Sequence, residues 1–263
     1  LTSMAAGIYV YRLTGSALSV GLMLMASAAP SILLGLIAGV FVDRFDRKRI
    51  MLISDLIRAG LVFLIPLVIS SNIAWLYIIV MLTGAVGQFF DPAQSSLLPE
   101  VATDEELAAA NSLMAISSIG STTIGFAVSG LLAASNIELA FYLDALSFLI
   151  SASLLLFLKV AVLRTDEPTS VAVVWRNLRA GVRYVIDTRI LRSLFVVVIP
   201  IFVIFGLQNS LLLPFALRKL NASEFEFGLQ QAAESVGIAL GSLLMIRLAD
   251  RLREGQWLTI SYL

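Results

Sequence analysis

Four stretches of this chain contain no Asp, Glu, Lys or Arg: residues 13–42, 59–90, 107–137 and 193–217. A helix needs about 20 predominantly apolar residues to cross the hydrocarbon core of a bilayer. One water-exposed fold cannot hide several such segments in a single core, so the chain is an integral membrane protein of several helices. The composition agrees: 59% of residues are hydrophobic and 14% charged, with a mean hydropathy of +0.95. Soluble domains have about 45–50% apolar and about 25% charged residues. The apolar runs are too long for barrel strands, which alternate over about 10 residues.

The runs and turn-forming clusters between them predict an all-α bundle. A first span ends at Tyr11, and further spans follow at Leu18–Val42, Ile50–Ile69, Ile73–Phe90, Leu107–Ala134, Ile137–Leu158, Leu191–Leu217 and Gly228–Leu248. A ninth begins at Trp257. The chain starts at Leu1, and both of its ends lie in apolar runs, so it is expected to be a piece of a longer protein. Residues 159–190 are polar and basic and divide it into a first bundle over 1–158, a connecting loop and an incomplete second bundle over 191–263. In that loop Trp175, Leu178, Val182 and Val185 recur at helical spacing, with Arg176, Arg179 and Arg183 on other faces. This pattern suits a helix lying on the inner membrane surface, or equally a solvated linker helix.

Basic loops resist translocation and so mark the cytoplasmic side. Arg44, Arg47, Lys48, Arg49, Lys159, Arg164, Arg176, Arg179, Arg183, Arg189, Arg192, Arg247, Arg251 and Arg253 fall on one side. Only Arg12, Arg218 and Lys219 fall on the other, with Arg58 inside a span. The side with the larger group is expected to be cytoplasmic, in a multi-pass protein of the plasma membrane.

Several function classes drop out. The chain has no Cys and no His, which removes disulfides, thiolate and imidazole metal sites, Cys nucleophiles and Ser-His-Asp triads. A net charge of zero gives no basic surface for nucleic acid. No Gly-x4-Gly-Lys-Ser/Thr phosphate loop is present. No enzymatic activity, cofactor or metal is expected. The partners foreseen are the lipid bilayer and a small-molecule substrate, with the protein acting as a monomer.

Small residues recur at every fourth position in three spans. They are Ser27, Ser31, Gly35 and Gly39; Ser117, Ser121, Gly125 and Ser129; and Ala233, Gly237 and Gly241. Such stripes let helices approach closely. The first continues into Asp43, placing a carboxylate at a helix contact beside Arg44, Asp46, Arg47, Lys48 and Arg49. Ion pairs made in one conformation and broken in another bias a two-state equilibrium. The alternative is a basic loop that only fixes topology.

The segment Gly39-Val40-Phe41-Val42-Asp43-Arg44-Phe45-Asp46-Arg47-Lys48-Arg49 resembles the signature loop between helices 2 and 3 of the major facilitator superfamily. Asp46 stands where many members have Gly, a departure similar to one branch of exporters, which includes enterobactin-type siderophore exporters and macrolide efflux permeases. Asp91-Pro92-Ala93-Gln94-Ser95-Ser96-Leu97-Leu98-Pro99-Glu100 resembles the loop after helix 4 of that branch. Ala108-Ala109-Ala110-Asn111-Ser112-Leu113 and Asp144-Ala145-Leu146-Ser147-Phe148 are also similar. The resemblance implies a parent of twelve helices, of which this chain holds the end of helix 1 through helix 8. Asp250-Arg251 follows the eighth span as Asp43-Arg44 follows the second, as two related halves would give. Two departures weaken a proton-antiport inference. Gly125 is followed by Phe126 where the family often has Gly-Pro, and the fourth span lacks the Arg of many proton-coupled members.

Charges within membrane helices are costly and therefore functional candidates. Asp55 and Arg58, three residues apart, can pair on one helix face. Asp144 and Glu234 lie partway into their spans, and Glu234 has no base nearby in sequence. Desolvation would favour its protonated form; the alternative is that it faces a water-filled vestibule and stays ionised. Gln88, Gln208 and Asn209 are further polar groups that could line a cavity or bond between helices. Together these features suggest a secondary exporter of a small amphipathic, drug- or siderophore-like molecule, working by alternating access and coupled to protons. The alternatives are a non-transporting scaffold or sensor, and an importer of the same superfamily.

The basic-residue count gives a direct test of topology. In intact cells an impermeant thiol reagent should label Ser71→Cys and spare Lys48→Cys; the opposite pattern would invert the orientation.

Overall fold

The computed structural model describes residues 1–42, 45–69, 71–103, 105–158 and 171–248. Among the described residues nine helices follow in order: α1 Thr2–Thr14, α2 Ala17–Val42, α3 Arg47–Val68, α4 Ala74–Val101, α5 Leu107–Ser135, α6 Ile137–Phe157, α7 Val171–Asp187, α8 Arg189–Lys219 and α9 Glu224–Leu248. No strand occurs among the described residues. The expected ninth span, the Asp250-Arg251 pair and residues 159–170 lie outside them.

Among the described residues six helices are long and apolar enough to cross a membrane: α2 to α6 and α8. At about 1.5 Å per residue α8 is about 46 Å long and exceeds the hydrocarbon thickness of about 30 Å. The eighth expected span, Gly228–Leu248, lies within α9, Glu224–Leu248.

Local chemistry explains the ends. Gly15 caps α1 in the left-handed conformation, φ 61°, and its N–H donates to the Tyr11 carbonyl at 2.8 Å. A side chain there would be strained, and its Cβ would lie 2.7 Å from the Arg218 guanidinium. Asp46 caps α3 by accepting from the Arg49 N–H at 3.1 Å. Asn136 caps α6 in the same way through Glu138. Ser223 and Glu226 form a reciprocal capping box before α9. The Ser223 amide and hydroxyl hold the Glu226 carboxyl below its usual range.

One element departs from the sequence expectation. The fourth span was expected to end at Phe90, with residues 91–100 forming a loop, yet α4 continues to Val101 through Pro92 and Pro99. A proline leaves one carbonyl of the preceding turn without its donor, a cost membrane helices tolerate. Packing offsets that cost: Ala93 and Leu97 are buried with Val42, Ile50 and Met51 in a small cluster at the end carrying Asp46–Arg49. That end is called the basic end below. The opposite end holds the turns at Gly15 and Asn221.

The main core lies nearer the opposite end. It joins residues of α1 to α6 with Leu213 and Ala216 of α8 and Phe227 of α9. Elsewhere the exterior is apolar, with Ile32, Leu33, Leu154 and Phe157 among many exposed large side chains. A bilayer is the solvent for such a surface.

Candidate functional site

Three ties gather at the basic end. Arg47 forms an ion pair with Glu100 of α4. Lys48 Nζ donates to the Leu156 and Leu158 carbonyls at 3.0 and 2.6 Å, where the C-terminus of α6 presents its unpaired acceptors. Arg49 Nε lies 3.4 Å from Asp46. Together they fasten the start of α3 to α4 and α6. None of the three reaches α8 or α9. Asp43 and Arg44, the centre of the expected latch, lie outside the described residues. Among the described residues a Cβ on Gly39 would meet nothing within 4 Å.

Asp55 and Arg58 pair as their spacing foretold: Arg58 Nη2 donates to Asp55 Oδ1 at 2.5 Å. The guanidinium sits 4.4 Å from the Phe90 ring centroid and 4.6 Å from that of Phe148. The cation is thus held by π faces of α4 and α6 while it pairs within α3. Asp55 is only 1% exposed. Neighbouring helices enclose the pair, which joins α3, α4 and α6.

The other polar candidates divide. Asp144 accepts from the Thr2 hydroxyl at 2.5 Å and so ties α6 to α1. Gln88 lies in the seam between α2 and α4: its Nε2 reaches the Gly84 carbonyl at 3.5 Å, and its Oε1 is 3.7 Å from where a Cβ on Gly35 would stand. Asn209 donates to the Phe205 carbonyl of its own helix at 2.8 Å. Gln208 and Glu234 are exposed. The expected desolvation of Glu234 is therefore not supplied by the described residues.

Glycines mark the closest helix approaches, and the small stripes only partly foretell them. A Cβ on Gly130 of α5 would stand 2.7 Å from Gly228 Cα, and one on Gly228 would stand 2.7 Å from Gly130 Cα. Non-bonded carbons are comfortable at about 3.5–4.0 Å, so no other residue fits either position unless the two helices part. On α4, a Cβ at Gly84 would come within 3.1 Å of the Ser27 carbonyl of α2. Gly125 and Ser129 face α1, since a Cβ on Gly125 would lie 3.9 Å from Leu1 N and Ser129 donates to the Leu1 carbonyl at 3.2 Å. The packing expected at Ser121, Gly237 and Gly241 is absent among the described residues. Ser121 is exposed, and a Cβ on either glycine would meet nothing within 4 Å. The reason is that α5 and α9 touch near the Asn221 end and are exposed toward the basic end.

The sequence reading also missed a clamp at that closed end. Arg12 Nε of α1 donates to Glu224 Oε1 of α9 at 2.5 Å, and its Nη2 donates to the Ala133 carbonyl of α5. Arg218 of α8 lies 5.5 Å over the Tyr11 ring of α1. Gly21 of α2 leaves room for Ser210 of α8, whose Oγ would be 3.4 Å from a Cβ there. Farther along, Phe195, Phe202 and Ile204 of α8 and Ile238 and Leu240 of α9 are exposed. Among the described residues the first six helices therefore meet α8 and α9 beside the Asn221 end, while these side chains toward the basic end are exposed.

The Major Facilitator Superfamily model matches residues 1–263. The chain belongs to that superfamily. Its members are transporters rather than enzymes. The MFS-type transporter YfiS of Bacillus subtilis (strain 168) is 36% identical over 149 residues, covering 56% of this chain and 35% of that protein. The multidrug efflux pump Tap of Mycolicibacterium fortuitum is 30% identical over 251 residues, 89% of this chain and 59% of Tap. Macrolide efflux protein A of Streptococcus pyogenes is 33% identical over 110 residues, 41% of this chain and 27% of that protein. The chain thus spans about a third to three fifths of YfiS and Tap. It is a multi-pass membrane protein of this superfamily with efflux pumps among its relatives.

The clamp carries a testable consequence. A partly exposed ion pair contributes about 0.5–1 kcal/mol, which is about a 2- to 5-fold shift between closed and open. Ser235 is 8% exposed beside the α5–α9 contact. In Ser235→Cys protein, Glu224→Gln should raise external thiol labelling by that factor, while Glu224→Asp leaves it low. An unchanged rate in the Gln variant would remove the pair from the closure.

Proposed function

We propose that the protein is a secondary active exporter of a small amphipathic molecule, drug- or siderophore-like, working by alternating access in the plasma membrane as a monomer. The observation that carries this reading is the uneven contact of α8 and α9 with the first six helices. They are joined by Gly130–Gly228 and Arg12–Glu224 at one end and free toward the other. With the basic end in the cytoplasm, this is an arrangement closed to the outside and open to the inside. Export would begin there, with substrate entering from the cytoplasm. The names of Tap and macrolide efflux protein A support outward transport.

Two bundles, 1–158 and 191–263 with further helices, would rock about the Gly130–Gly228 contact. In this reading Arg47, Lys48 and Arg49, with Gly39, Asp43 and Arg44, act at the cytoplasmic rim. The ties of Arg47 and Lys48 keep the first bundle rigid, and the carboxylate and guanidinium of the Asp43-Arg44 pair supply the conformational latch. Asp55, Arg58 and Asp144 serve as struts. Gln88, Gln208 and Asn209 belong to the substrate path, and Glu234 is the proton carrier. What supports Glu234 is its exposure on α9 with no ion-pair partner among the described residues. Water would reach it in the inward-open state and leave when the bundles close over it.

Reconstituted full-length protein tests this reading. Counterflow of a labelled macrolide or lipophilic cation should occur in proteoliposomes. Glu234→Gln should abolish uphill movement driven by a pH gradient and leave downhill exchange intact. Undiminished pH-driven transport in that variant would remove Glu234 from coupling, and absence of any counterflow across a broad substrate panel would favour a scaffold or sensor.

A further inference from the structure

The helix between the two groups of spans, α7, carries an inference that alternating access does not require. It runs Val171–Asp187, and Thr188 alone separates it from α8. Membrane-length apolar helix begins at Arg189, and Ile190 of α8 is already exposed. The chain therefore leaves α7 at the level of the bilayer surface, and a helix tethered by one residue cannot move far from that plane.

The side chains along α7 suit that plane. Trp175 and Ile186 are 68% and 55% exposed, so no described part of the protein covers them. A solvated linker helix would gain nothing by presenting an indole and an isoleucine to water. At 100° per residue Trp175 and Ile186 lie within about 20° of one another, and Arg176, Arg179 and Arg183 occupy the adjoining flank. All three arginines are exposed. Arg183 has Asp187 at 3.5 Å, a pair open to solvent, and no carboxylate of the described residues pairs with Arg176 or Arg179. Arg189 and Arg192 add charge where α8 enters the membrane.

An apolar strip bordered by guanidinium groups matches the acyl boundary and phosphate layer of an anionic leaflet. Guanidinium binds phosphate oxygens through two parallel N–H bonds, and basic segments near a membrane respond to its negative surface charge. We propose that α7 is a docking helix for anionic phospholipids of the cytoplasmic leaflet. Arg176, Arg179 and Arg183 hold the headgroup phosphates, and Trp175 and Ile186 enter the acyl boundary. The helix then fixes the basic end of α8 to the lipid surface.

Trp175 is its own reporter. Full-length protein with Trp75, Trp257 and any further tryptophan replaced by Phe is reconstituted into nanodiscs of phosphatidylcholine, alone or mixed with phosphatidylglycerol, with bromine on the acyl chains. Quenching of Trp175 should rise severalfold with the phosphatidylglycerol fraction and fall as salt is added. The triple variant Arg176→Gln, Arg179→Gln, Arg183→Gln should return it to the phosphatidylcholine level. Trp175 emission that stays water-like and unquenched in both lipids would make α7 a solvated linker. Equal quenching in both lipids, insensitive to salt, would leave an apolar anchor without anionic-lipid recognition and overturn the proposal. The lipid and salt dependence of the unsubstituted helix decides the matter even if the triple variant does not fold.

Discussion

At Gly130 and Gly228 two helix backbones approach until no side chain fits between them. This contact determines how the rest of the chain is disposed. With α5 and α9 touching there, Arg12 can reach Glu224 and the Ala133 carbonyl together, joining three helices through one guanidinium. Leu213 and Ala216 of α8 and Phe227 of α9 then enter the same core as α1 to α6. Because the contact lies near one end of both helices, the other ends are free to part. In the bilayer there is no hydrophobic drive between apolar helices, so close backbone packing and interhelical hydrogen bonds carry the association. A bare glycine crossing supplies the first and the Arg12 clamp the second.

The two ends of the molecule use charge for different purposes. At the basic end Arg47 and Lys48 bind within the first six helices, to Glu100 and to the C-terminus of α6. Deeper, Arg58 stands between Phe90 and Phe148 while paired with Asp55. These ties make α3, α4 and α6 one unit. At the other end Arg12 of α1 spans to Glu224 of α9, and such a tie can break without unfolding either partner. Rigid groups joined by a few breakable contacts are what rocking motion between bundles needs.

Much of this was legible in the sequence, and the exceptions have physical causes. Helix positions followed from apolar runs, because lipid demands them, and most ends fall within a few residues of expectation. α4 ran past its expected end because burial of Ala93 and Leu97 outweighed Pro92. The Asp55–Arg58 pair was visible because both partners lie on one helix. The Arg12–Glu224 pair was not, because its partners are 212 residues apart and meet only through the crossing of α5 and α9. Small-residue spacing marked Gly237 and Gly241, which meet nothing within 4 Å among the described residues, and passed over Gly228, which meets a backbone. A fourfold repeat shows where a helix could pack closely, and the partner's path decides where it does.

The central claim is that the Asn221 end is closed while α5 and α9 stand apart toward the basic end, and that these states alternate. Spin labels at Ile116→Cys and Ile238→Cys, both exposed on the free halves of α5 and α9, read that separation by pulsed dipolar spectroscopy. In actively transporting full-length protein the account predicts two distance populations, with the shorter growing as the outer side opens. A single distribution, unchanged between resting and transporting protein, would contradict it.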